Sequence, residues 1–391
     1  TTMSKTEYKR LGDYIREVNV RNRELKVTNL LGVSISKEFM TSIANTIGTD
    51  MSTYKIVERG QFAYGPVTSR NGDKVSIALL DGYDDAIISQ AYIVFEVIDH
   101  EQLLPEYLMM WFRRPEFDRY ARFHSHGSAR EIFDWDELCD VMLPIPSITR
   151  QREIVAEYET LTNRIRLNNQ MIQHLETTAQ ALYRKTFVDN IDKENLPEGW
   201  RMGTIGEILE KFIRGPFGSA LKKEDMQAGG IPVYEQQHVI DEHIRFRYYI
   251  SEAKYESLKR FTVKKNDLVI SCSGTIGKIK QISDNDPAGI INQALLILRV
   301  NIHKYSPILL RYFLLSGEGH NMLLEDAHGS AQINIAKKEV IESIPILIPK
   351  SKILNEIDGQ LNIIDCRICL YKQENSKLTE LQSLLLAKMG Q

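Results

Sequence analysis

The sequence predicts a mixed α/β (α+β) protein built twice over. Two duplicated globular domains are each followed by one long helix, and the two helices pair as a coiled coil. Two observations carry this prediction. The first is an internal repeat with a period of roughly 203 residues, too long for a solenoid and therefore a domain duplication. His126-Gly127-Ser128-Ala129 recurs as His328-Gly329-Ser330-Ala331, and AIISQAYIVFEV at Ala86–Val97 recurs as GIINQALLILRV at Gly289–Val300. The halves open alike, with Leu11-Gly12-Asp13-Tyr14-Ile15 against Ile205-Gly206-Glu207-Ile208-Leu209. They close alike, with Met142-Leu143-Pro144-Ile145-Pro146 against Ile344-Pro345-Ile346-Leu347-Ile348-Pro349.

The second observation is a pair of heptad seams. Ile154, Tyr158, Leu161, Ile165, Asn168, Ile172, Leu175, Ala179 and Leu182 alternate four and three apart, in a stretch from Ser147 to Leu196 without Pro or Gly. Ile357, Leu361, Ile364, Ile368, Tyr371, Asn375, Leu378, Gln382 and Leu385 keep the same frame, with Gly359 the only breaker before Gly390. Each helix is about 35 residues long, roughly 50 Å. Neither seam has much to face in its own half, so the two bury against each other. Asn168, Asn375 and Gln382 would then set register at some cost in stability.

These signals divide the chain into a first domain (1–146), a first long helix (147–187), a polar linker (188–199), a second domain (200–349) and a second long helix (350–390). Inside the domains, Lys74–Leu80, Ala91–Val97, Asp267–Cys272 and Ala294–Val300 read as strands. Glu106–Phe112 and Ile308–Leu315 read as helices. Gly-rich turns such as Gly215-Pro216-Phe217-Gly218 separate them.

At 391 residues, 43% hydrophobic and 26% charged, the composition is globular and fits two or three domains. No apolar run is long enough to cross a membrane, and no charged-then-apolar signal segment opens the chain. Four cysteines argue against a disulfide scaffold, so the expectation is a reduced, cytoplasmic protein. A net charge of −3 argues, at first, against nucleic acid.

The catalytic motifs fail one by one. Gly274-Thr275-Ile276-Gly277-Lys278 is a shortened phosphate loop with two residues between its glycines where four are needed, and Ile279 follows the lysine. Cys366-Arg367-Ile368-Cys369 lies in the second long helix with no partner pair at zinc spacing. Asn285-Asp286-Pro287-Ala288 lacks the second Pro and the aromatic of an adenine-methyltransferase loop. No His-Glu-x-x-His or Gly-x-Ser-x-Gly occurs. The expectation is a non-enzymatic chain that binds no metal and no cofactor of its own.

Local charge tells a different story from net charge. Met110–Arg130 holds five Arg against two acids with aromatics interleaved, and Lys254–Lys280 holds seven Lys/Arg against Glu256 and Asp267. Thr68–Lys74 and Ser273–Lys278 are glycine-bearing polar loops at corresponding places in the halves. Arg, Lys, Asn, Gln and Ser grip phosphates and read base edges. The candidate DNA contacts of the first half are Ser69, Arg70, Asn71, Lys74, Arg122, His126, Ser128 and Arg130. Those of the second are Ser219, Lys222, Lys223, Gln236, Gln237, His238, Ser273, Thr275, Lys278, His328, Ser330 and Gln332.

Further words follow in order. Leu196-Pro197-Glu198-Gly199-Trp200 opens the second half, then come Gly215-Pro216-Phe217-Gly218-Ser219-Ala220-Leu221-Lys222 and Gly230-Ile231-Pro232-Val233. Ser273–Lys278 and Ile291-Asn292-Gln293 come next, while Arg150-Gln151-Arg152-Glu153-Ile154 starts the first helix. On this duplicated frame the chain resembles the specificity subunit of a Type I restriction-modification system. The resemblance implies that each globular domain is a target recognition domain reading one half of a bipartite, asymmetric site in double-stranded DNA. It implies antiparallel helices that space the domains and dock two modification (methyltransferase) subunits. S-adenosylmethionine would be bound by those partners, and ATP/Mg by restriction (motor and nuclease) subunits. Two other classes stand beside this reading: a non-catalytic scaffold that binds proteins through its duplicated domains, and a self-contained methyltransferase or nuclease.

Overall fold

A computed structural model describes residues 7–42, 48–69, 71–127, 131–189, 191–241, 245–324, 335 and 337–390, the side chain of Ser219 excepted. The chain divides into two compact units. One is Thr1–Leu167 with Glu374–Gln391, and the other is Asn168–Gln373. Each unit therefore combines a globular part with one portion of each long helix.

The first unit holds β1 (Tyr8–Arg10), β2 (Ile15–Val18), β3 (Leu31–Val33), β4 (Phe39–Thr41) and β5 (Lys55–Glu58). It continues with β6 (Phe62–Gly65), β7 (Ser76–Leu79), β8 (Asp85–Ile88), β9 (Ile93–Val97) and β10 (Met142–Pro144). Its helices are α1 (Pro105–Phe112), α2 (Pro115–Phe123) and α3 (Trp135–Cys139), and the long α4 (Ile148–Phe187) starts here. An antiparallel sheet runs in the order β2-β9-β6-β7, and β1 pairs with β10. Proline opens α1 and α2, where a missing N–H costs nothing.

The sheet is buried on both faces, and the two-residue period of a strand decides which core each side chain enters. Phe62, Tyr64, Ile77 and Phe95 pack against α1 and α2, while Ala63, Ala78 and Val94 pack with Leu31, Val57 and Ile88 on the other side. This is why the strands read as near-continuous apolar runs. Phe62 and Phe95 stack at 4.8 Å, and the buried Tyr64 hydroxyl donates to the Phe133 carbonyl at 2.7 Å.

The second unit repeats the plan. It holds β11 (Arg201–Thr204), α5 (Ile205–Ile208), β12 (Leu209–Arg214), β13 (Ile231–Tyr234), α6 (Gln236–Ile240), β14 (Tyr249–Ile250) and α7 (Glu252–Leu258). Then come β15 (Leu268–Ser271), β16 (Ile279–Gln281), β17 (Ile290–Ile291) and β18 (Leu295–Val300). The unit continues with α8 (Pro307–Leu315), α9 (Gly317–Leu324), α10 (Lys338–Ser343), β19 (Pro345–Ile348) and the start of α11 (Ser351–Lys388). Its sheet has the order β12-β18-β15-β16, and β11 pairs with β19, so the repeat in sequence is a repeat in topology. Again alternate residues serve two cores: Leu296 and Leu298 face α8, while Leu295 and Ile297 face β13 and β17. The flanking pairings repeat too: Leu30 bridges Ile87 in parallel as β13 pairs with β17, and Thr262 bridges Ile290 antiparallel as β5 pairs with β8.

The long helices run antiparallel. Thr162 of α4 meets Gln382 of α11 at 2.7 Å, and Arg164 meets Glu374 at 2.8 Å. Val155 and Tyr158 share a core with Leu386 and Met389. In the second unit Ala179, Tyr183 and Phe187 share a core with Ile357 and Leu361. Rising numbers on one helix thus meet falling numbers on the other. Ile357, Leu361 and Ile368 are buried, and Ile154, Leu161, Ile165, Ile172, Leu175, Leu182, Ile364, Leu378 and Leu385 are half-buried. Asn168 is buried on the same stripe. Gln151, fully buried, ties the start of α4 to its domain. Its amide donates to the carbonyls of Gln102 and Pro146 and its oxygen accepts from Leu104 N–H. Among the described residues, no helix is long and apolar enough to cross a membrane.

Burial decides the cost of truncation along α11. Leu361→Ala should lose about 2–5 kcal/mol of stability, the range for a buried leucine. Ile363→Ala, at a position 67% exposed, should stay within about 0.5 kcal/mol. Denaturant titration of both variants checks this, and equal losses would contradict the assigned seam.

Candidate nucleic-acid interface

The strand order of the second sheet brings three loops to one end, and the loop after β13 joins them. β12 and β15 finish there, while β16 and β18 begin there. The loop after β12 is pressed against the loop before β18. Gly215 N–H donates to the Leu295 carbonyl at 3.0 Å, and a Cβ at Gly215 would lie 1.9 Å from the Asn292 carbonyl oxygen. Asn292 N–H donates to Tyr234 at the end of β13, and Cys272 N–H donates to Ala294.

The hairpin loop between β15 and β16 carries Ser273, Thr275 and Lys278. Gly274 (φ 64°) and Gly277 (φ 75°) take left-handed backbone conformations that side chains disfavour. Ser271, buried below, donates to the Thr275 carbonyl at 2.6 Å and accepts from Lys278 N–H at 3.0 Å. Gln236 at the start of α6 donates to Ser273 Oγ at 3.1 Å. Thr275 and Lys278 are exposed. This loop joins two antiparallel strands and no helix follows it, so it lacks the helix N-terminus of a phosphate loop.

Other candidates sort by exposure and pairing. Lys222 and Lys223 are exposed after the Gly215 loop, with Lys222 Nζ 3.0 Å from Glu224. Gln237 is half-buried and donates to Glu235. His238 was expected on the contact surface and is instead 2% exposed. Its Nδ1 accepts from Glu235 N–H at 2.9 Å and its ring stacks on Phe246, so it holds the start of α6 rather than facing outward. His328, Ser330 and Gln332 lie outside the described residues, as do Arg70, Ser128, Arg130 and the Ser219 side chain. Two residues at the sheet end went unselected among the site candidates: the exposed Gln293 and, in the first unit, Gln90. Both occupy the same place in the repeat, which was the available signal.

In the first unit the hairpin between β6 and β7 is the topological counterpart. Ser69 and Lys74 are exposed there, but Asn71 turns inward to donate to the Val67 carbonyl and to Ser76 Oγ. Arg122 pairs with Glu131, and His126, although exposed, lies 3.6 Å from Glu137. The basic stretch around them is largely structural. Arg114 is buried against Trp111, Arg113 lies over Tyr158 and Arg119 pairs with Glu116. In the second unit, four of the seven cations of Lys254–Lys280 are paired: Lys254 with Asp225, Lys259 with Glu256, Lys265 with Asp284 and Lys280 with Asp286. Among the described residues, no group of His, Cys, Asp and Glu is arranged to hold a metal.

Burial holds the His238 imidazole below its usual pKa, so the folded chain resists protonating it. The unfolded chain then binds more protons as pH falls through the usual histidine range. This contribution to stability is present at neutral pH and lost toward acid. Thermal unfolding at pH 7 and pH 5 should show a larger loss for the wild type than for His238→Asn, which keeps an acceptor but does not titrate. Equal losses would contradict this placement.

Residues 197–380 match the family described as Type I restriction modification DNA specificity domain. The Type I restriction enzyme HindI specificity subunit of Haemophilus influenzae is 25% identical over 186 residues. That match spans 46% of this chain and only 40% of the relative. The Type I restriction-modification S subunit from M. genitalium superposes over 100% of this chain and 98% of its own, with a TM-score of 0.62 at 15% identity, which is a likeness of fold. Residues 197–380, slightly less than half of the chain, are thus similar to the Type I restriction modification DNA specificity domain family.

Proposed function

We propose that this chain is the sequence-reading subunit of a Type I restriction-modification complex, and that each unit reads one half of a bipartite DNA site. The observation that carries the reading is the convergence of Gln236, Ser273, Thr275 and Gln293 with Lys278 at one end of a sheet inside the matched domain. Neutral amides and hydroxyls suit base edges, and an exposed lysine suits a phosphate. The first unit would read the other half-site through its matching end, with Ser69, Lys74 and Gln90. Its loop sequence differs, so the half-sites differ.

The long helices would act as spacer and docking surface. Leu167, Met171, Ile363, Leu370, Leu381 and Leu384 are exposed apolar residues off the seam, the chemistry a partner's helices would cover. A duplicated chain can meet two copies of one modification subunit. Methylation, with S-adenosylmethionine, and ATP-driven cleavage by restriction subunits would belong to those partners, and this chain would supply the address.

The test uses the chain assembled with its modification subunits on a cognate duplex. Lys278→Ala should weaken binding and lower the salt slope by about one, as for one lost phosphate contact. Gln236→Ala should reduce discrimination against substituted sites by about 1–3 kcal/mol. Unchanged behaviour of both would overturn the assignment of this sheet end. Methyl transfer by the purified chain alone would overturn the division of labour.

A further inference from the structure

A second basic feature borders the loop end, sharing Gly215 and Phe217 with the loop after β12. Between the outer edge of β12 and residues 255–264 runs an open cleft of about 640 Å³, and no Asp or Glu is among the residues that line it. Six of those residues are cationic: Lys211, Arg214, Lys259, Arg260, Lys264 and Arg299. Two are already neutralised. Arg299 grips the buried Asp267 through two hydrogen bonds of 2.8 and 2.7 Å, and Lys259 sits 3.0 Å from Glu256. Lys211, Arg214, Arg260 and Lys264 have no ion-pair partner among the described residues. Arg214 Nε is enclosed with no hydrogen-bond acceptor. The Arg260 guanidinium lies 4.5 Å from the centre of the Phe261 ring, which fixes its head group.

Uncompensated like charges lining one cleft repel each other, and an anion relieves the repulsion. The cations come from two facing elements, a strand edge and a turn, so they line a groove. A groove walled by separated cations suits a chain of phosphates better than a single small anion. Charged residues on an edge strand also discourage strand pairing, but that role would leave DNA affinity indifferent to Arg260 and Lys264 on the opposite wall.

We propose that this cleft seats the phosphodiester backbone of the bound duplex and grips it without reading sequence. The inference rests on the reading of the second unit as a DNA-binding domain. It divides the unit into a cationic edge that supplies sequence-independent affinity and a loop end whose amides and hydroxyls supply choice.

The experiment compares the assembled complex carrying Arg260→Gln with Lys264→Gln against wild type, on cognate and scrambled duplexes across a salt series. Both affinities should fall by a similar factor, the salt slope should drop by roughly two, and the cognate-to-scrambled ratio should hold. Arg260→Lys with Lys264→Arg should restore the slope, which separates lost charge from lost folding. A changed ratio with an intact slope would overturn the proposal, because the cleft would then read bases. An unchanged slope and ratio would overturn it too. If Lys278→Ala and Gln236→Ala still act in that case, the DNA-binding reading survives. Failure of the wild-type complex to bind any duplex would instead remove the underlying reading. Saturable binding of inorganic pyrophosphate, lost in the Gln variant while the DNA slope is unchanged, would make the cleft a small-anion site and overturn the proposal.

Discussion

The second unit depends on one close approach of two backbones. At Gly215 the chain leaving β12 runs so near the Asn292 carbonyl that no side chain fits between them. The approach is bridged by the Gly215–Leu295 hydrogen bond and extended by the Asn292–Tyr234 and Cys272–Ala294 bonds. Four loops from distant parts of the sequence are thereby held as one surface. Gln236 can reach Ser273 only because this backbone lattice sets α6 beside the β15–β16 hairpin. Preorganised polar groups discriminate between bases because little ordering remains to be done on binding.

Much of this architecture is legible in the sequence. The duplicated words foretold duplicated sheets, since the apolar ones fall on matching strands or their flanks, while His328–Ala331 lies outside the described residues. Ala86–Val97 and Gly289–Val300 cover β8–β9 and β17–β18. The heptads foretold the seam because apolar residues at that spacing have one way to leave water. Even Gln151, quoted only as part of a word, has a structural reason: it closes three backbone hydrogen bonds inside the first domain, whereas Leu354 stands at its place in the second half.

The candidate site was less legible, for a physical reason. A cation's availability depends on whether a carboxylate faces it in the fold, and sequence neighbours rarely decide that. Lys280 and Asp286, six residues apart, form a nearly buried pair, while Arg260 and Lys264 in the same basic stretch remain unpaired. Arg114 is drawn into the core under Trp111. His238 illustrates the same limit: a polar residue beside two glutamines reads as surface until its ring is found stacked on Phe246. The net charge of −3 averages all of these and so says little about what the chain binds.

The central claim is that the loop end of the second unit chooses one half-site while the first unit chooses the other. Its most direct test is genome-wide mapping of methylated adenines in cells carrying the complete system, with wild-type chain or with Gln236, Ser273 and Thr275 all changed to Ala. The account predicts a two-part methylated motif in the wild type and, in the variant, degeneracy confined to one part while the other part and the gap stay unchanged. A motif that stays intact, or one that loosens in both parts together, would contradict it.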